Sequence, residues 1–282
     1  MKKIIIKYIA FILLISIGLV ACEKDSNIEV PKENPKLVSA CFLSPTADGT
    51  DLKLTWSAPI FNTTVHQMPL EKNAKVYIID GTNKLPLTYS VSNEVYHISK
   101  AQLQIVEGKK YKLQVESSKS ETLTAETIIP AAPKFSISFQ SFDSTHSQYD
   151  SQYYTYRYFV KLNITNPEDK AYYRITAWAK GYYNGYKQTV SIYPAKGQNR
   201  IIYGDYSKTL TFIITKSTSD QYKKIYISVH KVDETYYKYH HALENYQGTD
   251  FFSEPTLVYS NVENGLGVFC SYNVVMDSVD VK

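Results

Sequence analysis

The 282-residue chain has a formal net charge of +4 and contains 26 tyrosines, against 11 glycines and 11 prolines. Without residues 1–21, which hold three lysines and no acidic residue, 28 basic and 27 acidic side chains remain. This near balance excludes the basic field that attracts nucleic acid, and the aromatic-rich composition excludes an intrinsically disordered protein.

The first 22 residues have the layout of a secretory signal. Three lysines precede an apolar run over residues 8–21. Only 15 residues separate the last of these lysines from Glu23, whereas a helix that crosses a bilayer needs about 20. Leu19-Val20-Ala21-Cys22 resembles the lipobox of bacterial lipoproteins, so we expect residues 1–21 to be removed and Cys22 to be acylated. The alternative is an ordinary signal peptide that contains a cysteine.

Residues 22–36 are polar, contain two prolines and lack apolar periodicity, so we expect a lipid-anchored tether. From Leu37 onward, apolar and polar residues alternate, as in the segment from Leu52 to Trp56. This period of two is typical of half-buried antiparallel strands. The repeated alternation, separated by turn residues, predicts an Ig-like β-sandwich domain over residues 37–129.

Pro130-Ala131-Ala132-Pro133 cannot continue a strand ladder and marks the predicted domain boundary. Alternation resumes after it and predicts a C-terminal β-rich domain over residues 134–282. We expect one short helix there, with Asp233-Glu234-Thr235 supplying an N-cap and acids in its first turn, and with tyrosines at helical spacing. Asn264-Gly265 predicts a hairpin turn between apolar strands. The whole chain is therefore predicted to be all-β, with two antiparallel β-sandwich domains.

No common catalytic motif is present: the chain lacks a Gly-x-Ser-x-Gly elbow, a P-loop and an HExxH helix. On a helix, His240 and Glu244 would share a face and offer two metal ligands. The alternative is a polar helix face, and a third ligand is not evident. We therefore predict no catalytic residue, no metal, no cofactor and no enzymatic activity.

Clustered tyrosines are the residues most typical of a binding surface. One cluster lies in a polar stretch over residues 141–156, after the predicted domain boundary. The other lies in the Gly-containing segment KGYYNGY. Tyrosine offers a flat apolar face and a hydroxyl at low entropic cost, which suits contact with a glycan or a peptide. The alternative is that these rings only cover the outer surface of a sheet. The predicted ligand or partner surface consists of Tyr149, Tyr153, Tyr154, Tyr156, Tyr182, Tyr183 and Tyr186.

Two cysteines remain besides Cys22. Cys41 and Cys270 lie near opposite ends of the chain, and an exported protein meets conditions in which they can form a disulfide. The interpretation that we favour is two small buried apolar side chains, which is common for cysteine.

Several motifs occur together in one order along the chain. They are the lipobox, the tether, a Gly-Lys-x-Tyr-x-Leu-x-Val strand with one extra lysine (108–115), Ile-Pro-Ala-x-Pro (129–133), Tyr-Tyr-x-Ile (172–175), Glu-Pro (254–255) and Ser-Asn-x-Glu-Asn-Gly-Leu-Gly-x-Phe (260–269). This order resembles the Bacteroidota lipoproteins grouped as domain-of-unknown-function family 4249. The last motif is the most specific, and the likeness covers nearly all of the mature chain.

The resemblance implies an outer-membrane lipoprotein, lipid-anchored at the cell surface or on the periplasmic face. Such proteins are often encoded beside TonB-dependent transporters. We therefore expect a non-catalytic binding or accessory subunit of a TonB-dependent nutrient uptake system. Its expected partners are the membrane, through the N-terminal lipid, and a TonB-dependent outer-membrane β-barrel. The alternative is a structural surface protein, such as a fimbrial subunit or an adhesin.

Overall fold

Strands make up most of the computed structural model, which describes residues 34–57, 68–146, 153–165, 171–183, 186–192, 201–203, 207–217, 221–244 and 258–280. Within these ranges one helix, α1, spans Glu234–Glu244. The strands are β1 (Leu37–Leu43), β2 (Gly49–Trp56), β3 (Lys75–Asp80), β4 (Asn83–Ser90), β5 (Val95–Ser99), β6 (Lys110–Glu116), β7 (Leu123–Ile128), β8 (Phe135–His146), β9 (Tyr153–Ile164), β10 (Tyr172–Tyr183), β11 (Tyr186–Ile192), β12 (Ile201–Tyr203), β13 (Ser207–Ser217), β14 (Gln221–Val232) and β15 (Leu266–Asp280).

The first seven strands fold into two layers because β4 belongs to both. Its first part pairs with β3, and its last three residues, Thr88 to Ser90, pair with β5. The layer β1-β2-β5 then lies over β3-β6-β7, and alternate apolar residues of both layers meet in one core. Tyr111, Leu113 and Leu52 are among the fully buried members of this first core.

The second half of the chain builds another pair of layers. A three-stranded sheet, in the order β13-β9-β8, packs against the inner face of β10 and β14. Val160 and Leu162 of β9 meet Ile175 of β10 and Ile227 of β14 in this second core. The alternation of apolar and polar residues in each strand produces this arrangement, since only one face of each sheet turns inward.

Strand β15 connects the two pairs of layers. Its first six residues, Leu266 to Ser271, pair with β1 in parallel. Its last nine residues, Tyr272 to Asp280, pair with β14 in antiparallel orientation. Phe269 of this strand is fully buried in the first core, and Val279 packs against the second core. The pairing with β1 is the parallel exception among the described strands, whose other pairings are antiparallel.

The predicted fold class is confirmed: the chain is all-β, its sheets are mostly antiparallel, and it has one short helix in its described part. Of the predicted segment Asp233-Glu234-Thr235, Asp233 is the N-cap, since its Oδ1 accepts the backbone N–H of Tyr236 at 2.7 Å. The predicted hairpin at Asn264-Gly265 is wrong. Glu263 instead forms an antiparallel bridge with Thr124 of β7, and the chain continues after the turn as β15.

The polar, tyrosine-rich stretch over residues 141–156 is partly strand. Strand β8 extends to His146 and β9 begins at Tyr153, because the polar residues of this extension remain solvated while the backbones of β8, β9 and β13 pair. The division into domains at residues 130–133 stays a prediction. That segment lies between β7 and β8, where Asn273 of β15 donates its amide to the carbonyl oxygen of Pro130 at 3.2 Å.

Candidate functional site

An aromatic row runs along the strand pair β8–β9. A β-bulge between Phe139 and Ser141 inserts one extra residue into β8, which turns Phe142 to the face that Phe139 already occupies. Phe142 therefore lies opposite Tyr158 of β9. A strict alternation with a period of two would place Phe139 and Phe142 on opposite faces, so the sequence analysis missed Phe142. We call this row the aromatic ladder; its members are Phe142, His146, Tyr154, Tyr156 and Tyr158.

Neighbouring rings of the ladder are in contact. The ring centroids are 4.1 Å apart for His146–Tyr154, 6.0 Å for Tyr154–Tyr156 and 6.1 Å for Tyr156–Tyr158. Phe142 lies 6.2 Å from both Tyr156 and Tyr158. Tyr158 is 2% exposed within the second core, whereas Phe142 is 45% exposed. The ladder therefore begins inside the core and reaches the surface.

The ladder combines flat rings with hydroxyl groups and has no acidic or lysine side chain in its row. On the other face of the same strands, Arg157 Nε and Asp143 Oδ1 form an exposed ion pair at 2.7 Å. Aromatic rings with polar tips stack on apolar faces of a ligand and hydrogen-bond at its edge. This chemistry suits an uncharged surface of a glycan or peptide.

The structure places two of the seven predicted tyrosines, Tyr154 and Tyr156, side by side in the ladder. Four others lie in strands, but their side chains fall outside the described part of the structure. Tyr149 and the predicted acylation site, Cys22, also lie outside the described residues, so for these positions the prediction stands as made. The four strand tyrosines are Tyr153 in β9, Tyr182 and Tyr183 in β10, and Tyr186 in β11, where Tyr183 and Tyr186 are register partners.

The motif at residues 260–269 has a structural role. The Asn261 side chain pairs with the backbone of Phe269 in both directions: its Nδ2 donates to the carbonyl oxygen at 2.9 Å, and its Oδ1 accepts the N–H at 3.0 Å. Asn264 Nδ2 donates to the carbonyl oxygen of Thr122 at 3.1 Å, and Glu263 accepts the Thr124 hydroxyl at 2.7 Å. The bonds of Glu263 and Asn264 hold the segment that precedes β15 against β7 and the residue before it.

This motif lies within the part of the chain that matches a known family. A family model described as "Domain of unknown function (DUF4249)" matches residues 23–278. The chain belongs to the DUF4249 family. No curated protein matches this chain. Within the described ranges of this DUF4249 protein, no helix is both long and apolar enough to cross a membrane.

A second polar cluster of this DUF4249 protein lies where helix α1 meets the sheet. Arg174 of β10 donates from Nη1 to the hydroxyl of Tyr236 at 2.6 Å, and His230 of β14 is its register partner. Arg174 Nε and His230 Nδ1 are buried and have no hydrogen-bond partner among the described residues. Sequence reasoning placed His230 in a strand but missed Arg174, because a single arginine in an alternating strand carries no distinctive pattern.

The two helix histidines face different surroundings. The His240 ring lies among Phe42, Tyr236 and Tyr239, with centroid distances of 5.9, 4.3 and 5.3 Å. His241 instead stacks on Tyr237 at 5.6 Å. Among the described residues, no group of three or more His, Cys, Asp or Glu side chains is arranged to hold a metal ion. The contacts around His240 are those of a packed aromatic position.

Acidification is expected to destabilise the protein through His230 and His240. Burial, followed by the charge of Arg174, lowers the pKa of each imidazole from 6.5 to about 4. The folded state therefore favours the neutral rings, so their contribution is present above pH 6.5 and is lost as pH falls toward 4. We expect the free energy of unfolding to drop by about 1–3 kcal/mol between pH 7 and pH 5, as measured by urea denaturation.

Replacing His240 by phenylalanine keeps an aromatic ring in the same packing and removes one titrating group. The His240→Phe variant should lose roughly half of this pH dependence. Tyr239→Phe is the matched control, since it alters a neighbouring ring that does not titrate in this range. An unchanged pH dependence in His240→Phe would contradict the assignment.

The two described cysteines of the DUF4249 protein are free. They lie on adjacent strands, with Phe42 and Cys270 as register partners. Cys41 nevertheless faces the first core, while Cys270 faces the other side of the sheet, beneath α1. Their side chains therefore point away from each other, and burial raises the pKa of both thiols. The favoured interpretation of two buried small side chains agrees with these positions.

Proposed function

We propose that this DUF4249 protein is an outer-membrane-anchored lipoprotein and a non-catalytic binding or accessory subunit of a TonB-dependent nutrient uptake system. The observation that carries the proposal is Leu19-Val20-Ala21-Cys22 after a lysine-rich start and an apolar run. The family match begins at residue 23, directly after the expected acylated cysteine, which supports this division of the chain. The exposed part of the aromatic ladder supports a binding role.

Replacing Cys22 by alanine is expected to move the protein from the membrane fraction to the soluble fraction and to abolish incorporation of labelled palmitate. The reason is that the thiol of this residue carries the expected lipid. After unfolding, the wild-type protein should present two reactive thiols, because Cys41 and Cys270 are free.

The matched control is Cys41→Ala, which should keep the palmitate label and the membrane partition. The anchor assignment fails if Cys22→Ala still partitions into the membrane, or if the unfolded wild-type protein shows three reactive thiols.

The partner is tested separately from the anchor. Affinity purification of the detergent-solubilised protein should recover a large β-barrel of the TonB-dependent class. Variants that truncate the ladder rings, Tyr154→Ala and Tyr156→Ala, identify whether this surface contacts the barrel. Repeated recovery of the protein without any barrel would count against the accessory role while leaving the anchor intact.

A structural surface protein is the second candidate, and one observation favours it. In the described residues β8 pairs with β9 alone, so the other edge of this twelve-residue strand presents the donors and acceptors of alternate residues, and Asp143 is the single charged side chain of the strand apart from any charge on His146. Edges of this kind accept a strand from another chain. This function predicts assembly into oligomers or fibres, so a strictly monomeric protein in size-exclusion chromatography would exclude it.

A further inference from the structure

The outer face of strands β10 and β14 carries a second, chemically distinct strip. The strands pair in register as Arg174–His230, Thr176–Ser228 and Trp178–Tyr226. The intervening residues, such as Ile175 and Ile227, fill the second core, so the register pairs lie on the opposite face. We call this set the outer strip; its members are Arg174, Thr176, Trp178, Tyr226, Ser228 and His230.

One end of the outer strip is aromatic. The rings of Trp178 and Tyr226 are stacked, with centroids 5.8 Å apart and an interplanar angle of 7°. Lys180 Nζ lies 5.1 Å from the Tyr226 centroid, and Lys224, its register partner, lies 3.6 Å from Asp280. Both lysines beside the aromatic pair are thus held by groups of this chain.

The other end is cationic. The Tyr236 hydroxyl accepts a hydrogen bond from Nη1 of Arg174. Nε of the same guanidinium, which lies on the edge that pairs side-on with a carboxylate, makes no hydrogen bond to the described residues. Among the described residues Arg174 has no carboxylate partner. A buried donor such as Arg174 Nε without an acceptor is costly and requires a reason. Arg174 as a whole is only half-buried, so a ligand carboxylate can reach the accessible part of its guanidinium and supply an acceptor there.

The middle of the strip carries two hydroxyls. Thr176 and Ser228 lie between the cationic and aromatic ends. Thr176 is half-buried and offers a donor and an acceptor to a ligand, whereas Ser228 is buried. Arg174 and Trp178 are four positions apart along an extended strand, a distance of about 13 Å. A ligand that uses the whole strip is therefore elongated, with one acidic end, hydrogen-bonding groups along its body and a flat apolar face.

We propose that the outer strip binds an acidic oligosaccharide, with a sugar carboxylate on Arg174, ring hydroxyls on Thr176, and a sugar face against Trp178 and Tyr226. An acidic peptide fits less well, because several carboxylates need several cations and the strip presents one guanidinium. The inference rests on the binding role proposed above and gives that role a ligand class.

The probe is 3′-sialyllactose, a trisaccharide whose single carboxylate lies on its terminal sugar, and its methyl ester is the matched uncharged ligand. Trp56 and Trp178 are the two tryptophans of the chain. In a Trp56→Phe background, fluorescence therefore reports on Trp178 alone. We expect 3′-sialyllactose to change this fluorescence in a saturable way and to bind at least about tenfold more tightly than its ester.

Arg174→Gln is expected to weaken binding of the acid about tenfold while leaving binding of the ester unchanged. Arg157→Gln, which removes an arginine that already has a carboxylate partner, is the control and should bind like the wild type. If Arg174→Gln fails to fold, Trp178→Ala provides a second variant, with loss of binding monitored by calorimetry.

Three results would overturn the inference: equal binding of acid and ester, binding of triglutamate in preference to the sugar, or an equal response to inorganic phosphate. None of these alters membrane partition or recovery of a β-barrel, so failure of this inference is distinguishable from failure of the proposed function.

Discussion

Replacing Gly267 by alanine is expected to lower the free energy of unfolding by about 3–5 kcal/mol, the largest effect of any conservative substitution considered for this chain. Gly267 has a φ of +104°, which L side chains rarely adopt. It also lies opposite Ser39 in the parallel pairing of β1 and β15, and an added Cβ would overlap the carbonyl oxygen of Ser39. That neighbour is backbone in the middle of a sheet and cannot move aside cheaply.

Gly81→Ala separates the two causes of this destabilisation. Gly81 also has a positive φ, +61°, but a Cβ there would meet no atom within 4 Å. Backbone strain alone is then expected to cost about 1–2 kcal/mol. Urea denaturation of both variants, monitored by circular dichroism, measures the difference. Equal losses in the two variants would mean that the close approach to Ser39 contributes nothing.

Replacing Asp233 by alanine is expected to lower the free energy of unfolding by about 3 kcal/mol. Asp233 caps helix α1 through Oδ1, and its Oδ2 accepts the backbone N–H of Ser271 at 2.9 Å. The same oxygen lies within hydrogen-bond distance of the hydroxyls of Thr127 and Ser271. One carboxyl group thus joins α1, β7 and β15, and alanine would leave several buried polar groups without a partner.

Asp233→Asn keeps the shape of the side chain and one acceptor oxygen, so it should retain part of the lost stability. Asp277→Ala, at an exposed position of β15, is the control and should change stability by less than about 0.5 kcal/mol. A loss in Asp233→Ala no larger than in the control would show that the network contributes little.

The pH dependence provides an independent check on Asp233. Burial raises the pKa of its carboxyl above the ordinary 3.8, although hydrogen bonds from Thr127, Tyr236 and Ser271 oppose the shift. The folded state therefore holds the proton more tightly than the unfolded state. The stability from this effect is fully present below pH 3.8 and is lost as pH rises through the folded-state pKa. The stability of the wild type relative to Asp233→Asn should thus increase as pH falls toward 3.8.

Several elements were predictable because they depend on local pattern alone. Alternating residues such as Leu52, Leu54 and Trp56 can bury one face only as strands, and they form β2. Asp233 was recognisable as an N-cap because its short side chain can reach the free N–H groups of the first helical turn. These signals lie within a few residues of the elements they specify.

Other features were missed because their causes lie far away in sequence. Asn264-Gly265 has the local chemistry of a hairpin turn, but hydrogen bonds to Thr122 and Thr124 hold the segment on β7 instead. Phe142 joined the aromatic ladder through a bulge that no alternation pattern reveals. Arg174 could not be identified from the sequence, because its hydrogen-bond partner, Tyr236, lies 62 residues later in the chain.

The sequence by itself determined the strand content, the helix with its cap and the family, because alternation, capping chemistry and a ten-residue motif are local. It also provides the whole basis for the expected anchor at Cys22. Only the tertiary structure decided that β15 joins both pairs of layers, that Cys41 and Cys270 face opposite sides of one sheet, and that Arg174, Trp178 and Tyr226 share a surface. Those relations depend on which strands pair and in what register, and pairing partners far apart in the chain leave no mark in either segment alone.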